Sequence, residues 1–240
     1  MKIRIKFRRF GAMKFLGHLD LMRYFQKAVR RAEIDICYSE GYSPHQIMSF
    51  AAPLGVGITS DGEYFDIEVN STMSSAEAVK ALNATMVSGI VVTGYVRLTD
   101  NAKSAMAIVA AADYRLTYKE GYMSPYSVSE WQKIVNELFR EQKEFTILKK
   151  TKKSEREVDL KPLVHAIDVT EDENGNPSFF LQVSTGSIDN LKPELVLASL
   201  YEKTGLSFDE RAIQIHRLEV YARDEENQLI SLLDMGEEIK

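Results

Sequence analysis

The chain has 240 residues, 45% hydrophobic and 27% charged, with a formal net charge of −5. That is the make-up of a folded globular protein, long enough for one large or two small domains, and not of a disordered one. A single cysteine, Cys37, excludes an internal disulfide and any iron–sulfur cluster held by several cysteines of this chain.

The opening KIRIKFRRF has alternating charge and no apolar core for a signal peptide. No apolar run approaches the roughly 18 residues needed to span a membrane. A reduced, cytoplasmic setting is the expectation, with no membrane contact. Charge is unevenly spread: residues 1–60 hold ten Lys or Arg against four Asp or Glu, and the remainder twenty against thirty-one. A basic front on an acidic body points to a located anion site.

Ile3, Ile5 and Phe7 alternate with Lys2, Arg4, Lys6 and Arg8, the period of a half-buried strand whose basic outer face would extend an anion surface or protect a sheet edge. A helix follows, with Asp20 as its N-cap and Leu19 and Tyr24 as a hydrophobic staple. Leu21, Phe25, Ala28, Val29 and Ala32 give it one apolar face, while Arg23, Lys27, Arg30 and Arg31 form a cationic stripe. The next loop, SEGYSPH, contains Gly41, free to take a positive φ, and Pro44, which holds Ser43 extended. Such a loop can present successive amides to an anion, with Ser39, Tyr42 and His45 beside it; an ordinary surface turn is the equal alternative.

Strands near Gln46–Ala51, Glu63–Val69 and Ile90–Leu98, with a helix capped by Ser75 and running to about Met86, complete a β-α-β-β-α-β order. The Gly-rich stretch PLGVGITSDG lacks the lysine and spacing of a nucleotide-binding loop. Thr99–Met106 reads as a linker. The order then recurs: strand Ala112–Tyr118, helix Val128–Arg140, strand Phe145–Lys150, a hairpin of Val158–Val169 and Ser178–Val183, helix Pro193–Lys203 and strand Ile213–Ala222. The fold class expected is α+β, two ferredoxin-like domains in tandem over residues 1–100 and 111–240, with an acidic tail that is a short helix or a frayed end.

One stretch carries a family resemblance. Gly11, His18-Leu19-Asp20, Arg23, Arg30-Arg31-Ala32, Ser39, Gly41, Pro44-His45, Pro53-Leu54 and Glu63, with REVDLKPLV from Arg156 and NLKPELVLASLYE from Asn190, resemble the radical SAM-linked family of uncharacterised bacterial proteins. Gly17 departs from it, standing where many relatives have serine. Members occur alone or fused behind a cobalamin-binding radical SAM enzyme. The resemblance implies a radical SAM enzyme as partner and no assigned reaction. Having one cysteine, this chain is not itself that enzyme.

Cys37, between Ile36 and Tyr38, reads as a small core residue and not as a reactive thiol. A metal or catalytic set of His18, Asp20, His45 and Glu63 is the minor alternative. No cofactor, metal site or catalytic residue is assigned. Lys149, Lys150, Lys152, Lys153 and Arg156 make a second basic cluster, resembling weakly a segment of pseudouridine synthases whose catalytic aspartate motif is missing here. The function expected is RNA binding without catalysis, alongside a radical SAM enzyme in RNA or ribosome modification. Its contacts would be His18, Arg23, Lys27, Arg30, Arg31, Ser39, Gly41, Tyr42, His45, Lys150, Lys152 and Lys153. The alternatives are a protein-interaction subunit that meets no RNA, or a pseudouridine-synthase-like enzyme.

Overall fold

The computed structural model describes residues 1–150, 155–187 and 189–240. The chain is α+β, its strands pairing mostly antiparallel, and it divides into two compact units: Met1–Ala111 with Arg217–Lys240, and Ala112–His216. The first unit opens with β1 (Lys2–Arg9), α1 (His18–Arg31), β2 (Met48–Phe50), β3 (Thr59–Glu68), α2 (Ser75–Asn83), β4 (Ile90–Arg97) and the short α3 (Ala105–Ile108). Strand β1 pairs antiparallel with both β4 and β3, and β2 with β3, so the sheet order is β4-β1-β3-β2. This is the order a split β-α-β unit produces.

One face of that sheet makes the core. Ile3, Ile5 and Phe7 of β1 and Phe65 and Ile67 of β3 pack under Leu21, Phe25 and Val29 of α1 and Ala78 and Leu82 of α2. Phe25 sits among Phe7, Phe50 and Phe65, with ring centroids 4.6, 5.9 and 4.7 Å away.

Strand β1 is central, so its cations do not guard an edge, and of Lys2, Arg4, Lys6 and Arg8 only Arg8 is exposed. Arg4 is ion-paired with Asp66 at 2.8 Å, Lys6 with Glu219 at 2.5 Å, Arg8 with Asp61 at 2.6 Å, and Lys2 donates to the Ala102 carbonyl. A strand paired on both sides must neutralise charge that it turns inward.

The second unit holds β5 (Val109–Tyr118, from Ala112 on), α4 (Val128–Val135) continuing as a π-helix over Asn136–Glu141, β6 (Thr146–Lys150), β7 (Glu155–Asp159), β8 (Val164–Glu171), β9 (Pro177–Ser184), α5 (Pro193–Lys203) and the start of β10 (Ile213–Arg223). Its order is β10-β5-β9-β8, with β6 and β7 a separate antiparallel pair. The expected hairpin therefore begins later: Val158 pairs with Ile147, and the strand facing β9 starts at Val164. Trp131 fills this core, its ring against Tyr126, Phe179 and Tyr201 and its indole N–H donating to Ser124 Oγ at 2.9 Å.

The rest of the chain returns to the first unit. There β11 (Leu229–Ser231) pairs with β10, Arg97 and Glu237 exchange backbone hydrogen bonds, and Ser75 donates to the Ile239 carbonyl. The tail is thus not a frayed end; its helix is a single 3-10 turn, Leu233–Met235. It lies over the sheet face opposite α1 and α2: Arg4 donates to the Leu232 carbonyl, and a Cβ on Gly94 would meet Leu233 Cδ1 at 2.6 Å, so a larger residue there would displace the Leu233 side chain. Residues 99–106 are no free linker either, since the Ala105 amide donates to Asp66.

Two helices start with reciprocal caps. Ser74, one residue earlier than expected, exchanges bonds with Glu77, and Ser127 does so with Glu130. The serine hydroxyl and then the serine amide hold both carboxyls below the usual glutamate range. A depressed folded value means that each cap contributes stability above the ordinary value of about 4.3 and loses it as pH falls through the depressed one. Glu130→Gln is expected to flatten the urea midpoint between about pH 5 and pH 3; a profile identical to wild type would contradict this role.

Candidate functional site

The helix α1 begins at His18 with Gly17 as cap and no side-chain bond to it. Asp20 is therefore inside the first turn, exposed, 3.6 Å from Arg23. The staple moves with the cap: Leu16 and Leu21 reach the core while Leu19 is exposed. The helix closes on Glu33 at φ +56, whose amide donates to the Arg30 carbonyl while that of Ile34 reaches back to Val29. This is a Schellman closure built without glycine.

Those boundaries set the phase. Leu21, Phe25, Ala28 and Val29 are buried, and Arg23, Lys27, Arg30 and Arg31 are exposed. Among the described residues, Lys27 and Arg30 have no ion-pair partner; Arg31 donates to the Thr85 carbonyl at 3.3 Å.

The loop Ser39–His45 is the tip of a small hairpin. Tyr38 bridges Gln46 and Ile36 bridges Val69 at its base. Ser39 and His45 close it: the Ser39 amide donates to the His45 carbonyl at 2.8 Å, the His45 amide to Ser39 Oγ at 3.1 Å, and Ser39 Oγ lies 2.8 Å from His45 Nδ1. Two amides that would have lined an anion nest thus close the loop. Gly41, at φ +103, makes the turn, leaving Tyr42 fully exposed at its tip. Gln46 donates to the Gln26 carbonyl, which seats the hairpin beside the middle of α1. Stripe and loop therefore belong to one neighbourhood.

Three expectations change. His18 sets its ring edge-on to Phe50 at 5.4 Å with Nδ1 buried and, among the described residues, unpartnered, so that nitrogen is closed to a phosphate. Cys37 is half-buried, its Sγ 3.1 Å from Asn70 Oδ1, and not a core residue. Lys152 and Lys153, and the side chain of Lys150, lie outside the described residues.

Glu63 joins neither His18 nor His45. It is 2% exposed between Arg9, at 1%, and Arg217, at 2%. Arg9 Nε is 2.8 Å and Arg217 Nη2 3.8 Å from its carboxylate, both within ion-pair distance. Arg9 Nη1 also donates to the Leu16 carbonyl, and Arg217 to the carbonyls of Gly62 and Ala52. Burial pushes the Glu63 carboxyl above the ordinary range, against the pull of Arg217 and then Arg9. Among the described residues no three His, Cys, Asp or Glu side chains gather as a metal would need.

No curated protein matches the chain. A solved structure titled "Crystal Structure of a Cbf5-Nop10-Gar1 Complex" is similar at 11% identity with a TM-score of 0.47, over 92% of this chain and 50% of that one. A model of the family described as "Uncharacterized protein conserved in bacteria (DUF2344)" matches residues 2–193, and the chain belongs to that family.

Proposed function

We propose that the protein binds structured RNA, without catalysis, across α1 and the Ser39–His45 hairpin. The observation that carries this reading is a division among the cations of residues 1–31. Those of β1 are consumed by acids and carbonyls, whereas Lys27 and Arg30 stand exposed and, among the described residues, without an ion-pair partner, with Arg23 and Arg31 beside them. Phosphates fit such a stripe, and Tyr42 offers a ring on which a base can stack. The sheet face used by many RNA-binding α+β modules is covered here by residues 229–237, which leaves the helix side.

Two ferredoxin-like halves are supported by the matching orders β4-β1-β3-β2 and β10-β5-β9-β8. A radical SAM enzyme as partner follows from the sequence resemblance, a cytoplasmic setting from the single cysteine and the charged opening strand, and a role in RNA or ribosome modification from joining that partner to an RNA surface. A protein partner in place of RNA is the second reading, favoured by exposed Phe15, Leu19 and Val56 around the start of α1.

The test is binding of a labelled RNA hairpin across a salt series. Arg23→Ala, Arg30→Ala and Arg31→Ala are each expected to weaken binding and to lower the slope of log affinity against log salt by about one. All three side chains are exposed, so the variants should melt as wild type does. Variants that bind RNA like wild type would remove the proposal and advance the protein partner.

A further inference from the structure

The second unit has a groove that the proposal above does not use. It lies between α4 with its π-helical extension and β8, and encloses about 490 Å³. Strand β8 is the outermost in the order β10-β5-β9-β8, so one side of its backbone has no strand neighbour among the described residues. Gln132 donates to the Val169 carbonyl at 2.8 Å and fixes the helix against that edge.

Above this floor stand Lys133 and Arg140, both exposed and, among the described residues, without an ion-pair partner within 4 Å. Asp168 faces them from β8, and Ser129 and Asn136 add hydroxyl and amide groups. The helix widens to π geometry from Asn136 to Glu141, within the groove wall. Single π turns break the helical register and are frequent at functional sites. Two cations, one opposed carboxylate and neutral hydrogen-bonding groups in a space of this size match a sugar phosphate. The cations suit the phosphate, and the carboxylate accepts hydroxyl protons.

We propose that this groove binds a nucleotide, with Lys133 and Arg140 on the phosphate and Asp168 on the ribose hydroxyls. The nucleotide is either free or one unit of an RNA strand. Calorimetric titration of the full chain with AMP, dAMP and single-stranded hexa-adenylate tests it.

AMP or hexa-adenylate should bind, and Lys133→Gln and Arg140→Gln should each weaken binding about tenfold, as loss of a charge-assisted hydrogen bond does. Asp168→Asn should erase the preference for AMP over dAMP, which a general loss of charge would not do. Binding of hexa-adenylate alone assigns the groove to an RNA strand; AMP binding of equal or greater strength assigns it to a free nucleotide. Arg30→Gln serves as control and should leave AMP binding unchanged, so that failure here and failure of the α1 surface are told apart. Absence of binding by both ligands at millimolar concentration, or Lys133 and Arg140 variants that bind like wild type, would overturn the proposal.

Discussion

Glu63→Ala should cost about 3–5 kcal/mol in urea denaturation, because it leaves two buried guanidinium groups without their shared carboxylate. Arg9 and Arg217 are closed off from solvent and cannot turn outward to recover hydration. Glu63→Gln keeps the shape and an acceptor oxygen while removing the charge, and should fall between wild type and alanine. A loss below about 1 kcal/mol for the alanine variant would mean that water enters and hydrates the arginines. The step from wild type to Gln reports the lost charge, and the further step to Ala the lost packing and acceptor.

Phe25→Ala is expected to destabilise by about 3–5 kcal/mol, the range for a fully buried aromatic side chain. Phe7, Phe50 and Phe65 surround the ring, with Ile3 and Ile5 in the same cluster, so the cavity left behind has walls that cannot all close. Phe25→Leu should recover more than half of the loss. A stability unchanged by the alanine variant would show that the four-ring cluster collapses freely, contrary to its packing.

The phase of α1 was legible from its sequence because a 14-residue amphipathic helix repeats its apolar period several times. Its first residue was not. Asp20 is a good cap by type, yet the chain enters from Leu16 and Gly17, and the half-buried Leu16, packed on the core, fixes that entry. Burial also decided the fate of β1. The alternation of Ile3, Ile5 and Phe7 gives the strand, but nothing local to it reveals that Asp66, Glu219 and Glu63 stand opposite its cations.

Partners so far along the chain are set by strand order. A basic strand therefore read as an open anion surface when it is a neutralised central strand. In the hairpin, Gly41 was expected to turn the chain and does, whereas the closing bonds of Ser39 with His45 depend on a register that sequence spacing does not show. The π turn at Asn136 has no signal in composition at all.

The return of residues 217–240 to the unit begun at Met1 has a consequence for biosynthesis. A ribosome delivers the chain from the N-terminus onward, and domains generally fold as units as they emerge. Here the earlier unit cannot be finished until the later one has been translated. Throughout that interval Glu63 has Arg9 but not Arg217, Tyr64 and Lys6 lack Glu219, and the strand face destined for Leu232 and Leu233 is bare. Nascent chains are thus exposed to misassociation for as long as the middle of the message is read, and the charged residues of β1, unsatisfied until the end, help keep that face wetted while it waits.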